Sequence, residues 1–174
     1  LDSADLTTET GRANFHGWKA ELEFTRLQVQ ARQHVKPRWG QQLRLDYNKA
    51  LDESPERLLA TSQIYFPGLF RTHSLNFRIA YKKEEVINTY RYLDDFIMPR
   101  GYEPAAYEDI YVASVNYEVP VWYPDLDAGS VAFFQRLRTN LFFDYAEGSV
   151  ENFSEPLVST GGELFIDLRV FRLF

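Results

Sequence analysis

The sequence predicts an all-β, antiparallel fold, and three observations predict it. Apolar and polar residues alternate with a period of two through most of seven separate segments. Aromatics make up 16% of the 174 residues, with 14 Phe and 11 Tyr, and rings pack well on a pleated surface while losing rotamer freedom on a helix. No stretch carries a helical period of any length, and no repeat at a solenoid or propeller period is visible. The 45% apolar content is enough for one domain with a sizeable buried surface.

Residues 1–13 read as a polar lead-in without a pattern. The first strand sets Trp18, Ala20, Leu22 and Phe24 against Lys19, Glu21, Glu23 and Thr25. After a polar stretch with Pro37-Arg38-Trp39-Gly40, the second sets Leu43, Leu45 and Tyr47 against Arg44, Asp46 and Asn48. Asp52-Glu53-Ser54-Pro55 makes a loop, since Pro cannot donate to a ladder and Asp and Ser supply turn bonds. The third strand, about Leu58 to Phe66, alternates less cleanly; Phe66-Pro67-Gly68-Leu69-Phe70 then turns into a fourth with Leu75, Phe77, Ile79 and Tyr81 on one face.

A long segment, 82–108, carries Met98-Pro99-Arg100-Gly101-Tyr102 near its end. The fifth strand sets Tyr111, Ala113, Val115, Tyr117 and Val119 against Val112, Ser114, Asn116 and Glu118, with Pro120 expected to stop the ladder before Trp122-Tyr123-Pro124-Asp125. The sixth sets Leu137 through Tyr145 in odd positions against Arg136, Arg138, Asn140, Phe142 and Asp144. The seventh sets Leu164, Ile166, Leu168 and Val170 against Glu163, Phe165, Asp167 and Arg169, with Ser159-Thr160-Gly161-Gly162 as its start.

Composition removes several function classes. A net charge of -6 without a basic run argues against nucleic acid, because phosphate binding needs a basic face. The absence of Cys excludes disulfides and thiolate sites. His16, His34 and His73 stand far apart, so no zinc pattern forms. Asp94-Asp95 and Asp125-x-Asp127 do not make a calcium loop, and neither a phosphate loop nor a G-x-S-x-G elbow occurs. No metal or cofactor is expected, and no enzymatic chemistry. There is no long apolar run for a transmembrane helix, and the first residues lack the basic and apolar regions of a signal peptide.

A membrane barrel is still open, because transmembrane strands alternate and their mean hydropathy looks soluble. Two clues bear on it. Charged and amide residues sit mid-strand in segments roughly ten residues long, the length a tilted strand needs to cross a bilayer. The first, third and fifth connections carry Trp39, Phe66, Phe70, Trp122 and Tyr123, while the alternate connections lack Trp and carry acids. That asymmetry fits an aromatic girdle at one membrane interface; rings beside turns also serve as ordinary core plugs, which keeps a soluble β-sandwich or lipocalin-like binder in play.

Three motifs in order, Pro99-Arg100-Gly101-Tyr102, then Ala113 to Pro120, then Arg138 to Ala146, resemble the C-terminal barrel of the BamA-like outer-membrane assembly and secretion superfamily, also called bacterial surface antigen barrels. The resemblance is firmest over residues 96–170. It implies that residues 14–174 are about seven strands of a larger, sixteen-stranded transmembrane β-barrel in the outer membrane of a Gram-negative bacterium, with closing and opening strands beyond this stretch. It further implies that the long loop folds into the lumen: Arg100 as the lumenal cation, Gly101 at the tight tip, Tyr102 packed beside it, and Asp144 as the wall carboxylate. The family's wall glutamate is Asn116 here, with Glu118 two residues on, the glycine after the wall aspartate is Ala146, and Pro99 replaces a Val or Ile. Phe174 resembles the terminal aromatic of such barrels but is read as chance.

The function implied is non-enzymatic insertion or translocation of polypeptide or lipid, with outer-membrane lipid, a client polypeptide and accessory subunits as partners. Arg100 to Tyr102 would act as a structural latch. The alternatives are a passive pore for small solutes, its lumen lined by Arg44, Arg78, Arg138 and Asp167, and the soluble binder.

Overall fold

A computed structural model describes residues 3–8, 11–29, 34–50, 56–85, 91–92, 96–103, 107–128, 132–150 and 153–170, with backbone only for residues 3–8, 11–16, 50, 91–92, 128, 150 and 153–155. The Asp52–Pro55 loop, Asp94-Asp95, Phe174 and the His16 side chain lie outside this description. The described residues form ten strands and no helix: β1 (Ser3–Thr8), β2 (Gly11–Leu27), β3 (Gly40–Ala50), β4 (Glu56–Pro67), β5 (Ser74–Glu84), β6 (Arg91–Tyr92), β7 (Asp109–Trp122), β8 (Leu126–Ala128), β9 (Ala132–Val150) and β10 (Phe153–Val170).

All pairings are antiparallel, in the order β10-β9-β7-β5-β4-β3-β2-β1-β6, with β8 added on β9. Among the described residues β10 pairs only with β9 and β6 only with β1, so the sheet is open. Each strand pairs mainly with its predecessor because alternation of faces leaves one register that keeps the apolar residues together.

Five elements differ from the sequence expectation, one of them β6, a two-residue strand inside the long segment expected as a loop, which pairs with β1. Residues 3–8, expected as patternless lead-in, pair with the first half of β2 in a register that sets Ala4 opposite Phe15 and Leu6 opposite Ala13; two apolar residues are too short an alternation to mark a strand in the sequence. Pro120 does not end β7, which continues to Trp122 through a register shift that absorbs the missing N–H. β8 extends the hairpin into β9 after Asp125, whose φ of 43° makes the turn. Ser159 to Gly162 lie in the middle of β10, where Gly161 leaves room for the Phe142 ring: a Cβ there would sit 2.9 Å from its Cζ.

The two faces of the sheet are inverted relative to a soluble sheet. The apolar face is exposed: Leu22 and Phe24 on β2, Phe77 and Ile79 on β5, Leu141 and Phe143 on β9, and Leu164 and Ile166 on β10 all contact solvent, with Ile79 at 58% and Leu164 at 67% exposure. The polar face is covered, burying Asp46, Asn48, Asn76, Ser114, Asn116, Glu118, Asn140 and Asp144. The buried apolar cluster, Ala80, Ile110, Val112, Ala146 and Leu157, lies on this same polar face and is covered by Phe96, Met98 and Tyr107 from the long loop. Ala146, where the resemblance expects glycine, therefore places its methyl in that cluster.

The β2–β3, β4–β5 and β7–β9 connections leave one end of the sheet, called the aromatic end. The β3–β4, β5–β7 and β9–β10 connections leave the other, called the acidic end.

Candidate functional site

The site is built where the long loop meets the polar face. Tyr102 N–H donates to Pro99 O at 3.2 Å, closing a four-residue turn, and Gly101 takes a φ of 84° that L side chains rarely adopt. Pro99 is fully buried and fixes the entry to the turn. The turn leaves the Arg100 side chain facing β7, β9 and β10.

Asp144 on β9 is fully buried, and a carboxylate removed from water requires a cation or donors. Arg100 supplies both. Its backbone N–H donates to Asp144 Oδ2 at 3.1 Å, and its Nη1 stands 3.5 Å from the same oxygen, an ion-pair distance without hydrogen-bond geometry. Nη2 donates to Asn116 Oδ1 at 2.6 Å, and Nε lies 3.2 Å from Glu163 Oε1. The guanidinium rests on the Phe142 ring, 4.1 Å from its centroid. Asn140 ties the acceptors together, donating to Asn116 Oδ1 at 3.0 Å and to Glu163 Oε2 at 2.8 Å.

The expected set Arg100, Asp144 and Asn116 is thus brought together. Glu118 faces the same way but serves a different cation: Arg138 Nη1 donates to it at 2.8 Å and Lys36 Nζ lies 3.8 Å away. Glu163 takes the place expected for Glu118, and the alternation had already put it on the polar face of the last strand. Tyr102 reaches further than simple packing, donating its hydroxyl to Val158 O on β10 at 3.0 Å.

A second charged cluster lies toward the aromatic end. Arg136 Nε and Arg138 Nε donate to the two oxygens of Asp167 at 2.7 and 3.2 Å, and Arg138 stacks on Phe165 at 4.4 Å. Arg136 also donates to His34 O at 3.1 Å. Residues 34–37 therefore cover the polar face from the aromatic end, with Val35 buried and Ser74 Oγ 3.5 Å from Pro37 O. Nothing in the sequence pattern marked this second covering segment. Between the two clusters a polar cavity of about 340 Å³ is bordered by Lys36, Arg78, Asn116, Arg138 and Glu163.

The expected girdle residues share the aromatic end. Trp39 packs edge-on against Phe66 at 5.5 Å, Phe66 against Phe77 at 5.8 Å, and Phe70, Trp122 and Tyr123 are exposed there. A second aromatic row, missed in the sequence, crosses the same outward face near the acidic end. Trp18 packs on Tyr47 at 4.8 Å, and Tyr111 stands opposite Tyr81 in register and 6.0 Å from Tyr145. Their hydroxyls reach carboxylates at that end, Tyr81 to Asp109 at 3.2 Å and Tyr111 to Glu147 at 2.5 Å.

Among the described residues no group of three or more His, Asp or Glu is placed to hold a metal ion. In comparisons with known proteins, no family model, curated protein or solved structure matches the chain.

Proposed function

We propose that this chain is part of a transmembrane β-barrel in the outer membrane of a Gram-negative bacterium, of the BamA-like assembly and secretion type. It would take part in inserting or translocating polypeptide or lipid, without bond chemistry of its own. The observation that carries the membrane reading is the inverted sheet: apolar side chains exposed across strand after strand, charged side chains covered on the opposite face. A soluble domain gains nothing from that arrangement, because its apolar face would remain in water. Lipid as the outer solvent removes the difficulty.

The aromatic rows support the same reading. On β4 the steps from Leu58, which pairs with Tyr47, to Phe66 run along the strand at about 3.4 Å per residue, and the tilt of about 40° usual in barrels projects them to roughly 21 Å across the bilayer, the same order as a barrel's apolar band. An apolar band of about 25 Å flanked by rings is the outer surface of a bacterial barrel. Arg100, seated on Asp144, Asn116 and Glu163, would then be a latch holding the long loop inside the lumen. A client polypeptide would be handled at the barrel wall or lumen with accessory subunits.

The polar cavity favours a second reading, a passive pore for small solutes, since charged walls hydrate a lumen. Arg44, Arg78, Arg138 and Asp167, all on the polar face, would line it. The test is reconstitution of the full chain into detergent and then vesicles. Detergent dependence and heat-modifiable migration are expected, and a monodisperse chain without detergent would reject the membrane reading. Deleting residues 96–104 should raise conductance in the latched barrel; a large current already open and unchanged by the deletion would favour the passive pore.

A further inference from the structure

At the aromatic end the outward face carries one feature that neither the latch nor the lumen uses. Arg26 continues the outward series Trp18, Ala20, Leu22 and Phe24, and stands at the end of β2 opposite Gln41. Together with Gln28, Trp39, Ile64 and Phe66 it borders a groove of about 540 Å³. The two segments stay paired at this height, Gln28 N–H donating to Trp39 O at 3.0 Å. An arginine and two carboxamides thus face the same space as two large rings and an isoleucine.

Charge decides what fits. No Asp or Glu shares the outward face with Arg26 along 18–26 of β2, 41–47 of β3 or 58–66 of β4. The connecting segments 28–39 and 68–73 at this end contain Arg32, Lys36, Arg38 and Arg71 and no carboxylate, although Lys36 turns inward to Glu118. The third connection at this end carries Asp125 and Asp127, but it leaves from β7, two strands beyond β4, and no carboxylate borders the groove itself. A planar guanidinium with five donors binds a phosphodiester in two-point fashion, and Trp at the boundary favours the glycerol level of a bilayer.

We infer that this groove binds the phosphate of an anionic glycerophospholipid, with Arg26, Gln28 and Gln41 on the headgroup and Trp39, Ile64 and Phe66 against the glycerol and upper acyl chain. The site rests on the membrane-barrel reading. It would fix the aromatic end to an anionic leaflet and set the depth of β2 to β4 in the bilayer. Arg26 is the group that separates an anionic lipid from a zwitterionic one, because the rings and Ile64 contact either equally.

The test uses the detergent-solubilised full chain, titrated with phosphatidylglycerol and with phosphatidylcholine, retained lipids being counted by native mass spectrometry. Phosphatidylglycerol should be retained preferentially, and R26Q should weaken that preference about fivefold while keeping heat-modifiable migration. R71Q, at the same end but outside the groove, should leave it unchanged, and W39A should weaken both lipids. Inorganic phosphate should displace neither. Equal retention of the two lipids overturns the site, as does equal loss in R26Q and R71Q, which would mean diffuse surface charge, or displacement by free phosphate. Failure of the barrel reading looks different: the chain would then be monodisperse without detergent and retain no lipid.

Discussion

Arg100 and Asp144 meet through both the main chain and the side chain: the Arg100 backbone N–H donates to Asp144 Oδ2 at 3.1 Å, and Nη1 stands 3.5 Å from the same oxygen. The backbone bond survives any substitution except proline, whereas the charge that compensates the buried carboxylate does not. Arg100→Ala is therefore expected to destabilise the folded chain by about 3 kcal/mol, the scale for removing one partner of a buried pair. Limited proteolysis across residues 96–104 should accelerate, and heat-modifiable migration should shift to lower temperature. Arg100→Lys should rescue only part, since a point charge cannot reach Asp144, Asn116 and Glu163 together. Unchanged migration and proteolysis in R100A would show that the side chain holds nothing.

The two glutamates on the polar face should behave differently. Glu163→Gln removes the charge facing Arg100 Nε at 3.2 Å and should expose the loop to protease. Glu118→Gln removes the partner of Arg138 at 2.8 Å and should leave loop proteolysis near that of the unmodified chain. Equal protection in both variants, or the reverse order, would contradict the assignment of partners.

Gly148 tests how the returning end of the loop is seated. A Cβ there would lie 2.4 Å from Tyr107 Cδ1, so Gly148→Ala must displace the ring from the wall of β9. Overpacking of this kind costs about 1 to 3 kcal/mol, read as a lower midpoint in urea. The double change Gly148→Ala with Tyr107→Ala should lose less than the two single changes summed.

Ile79 lies on the outward face, midway between the aromatic rows, and is 58% exposed. In a bilayer, Ile79→Lys should cost about 2 to 4 kcal/mol of folding free energy in vesicles. A domain with water on that face would tolerate or welcome the lysine. Folding yield into vesicles against yield in buffer separates the two.

Much of the site was legible because parity along a strand needs no partner. Asp144, Asn116 and Glu118 are all even-numbered on strands whose odd positions are apolar, which placed them on one polar face. Which of them Arg100 reaches depends on how β9 and β10 slide against each other. Asn140 opposite Glu163 puts that carboxylate beside the guanidinium, while Glu118 opposite Asn140 lies nearer Arg138. The tyrosine row was hidden for the same reason. Tyr47, Tyr81, Tyr111 and Tyr145 each read as ordinary members of an apolar face, and only register brings them to a common height. Residues 3–8 were invisible because Ala4 and Leu6, which the register sets opposite Phe15 and Ala13, are too few to show a period on their own.

The small apolar cluster of Ala80, Ile110, Val112, Ala146 and Leu157 beneath Phe96, Met98 and Tyr107 has a consequence for how the molecule comes apart. In a bilayer this cluster would be the portion of the fold that urea solvates directly, while the outward residues stay shielded by acyl chains. Undocking of the loop and dissolution of the sheet would then respond to denaturant with separate slopes. Such a protein would melt first from its centre, its lining released while its outer wall still stands.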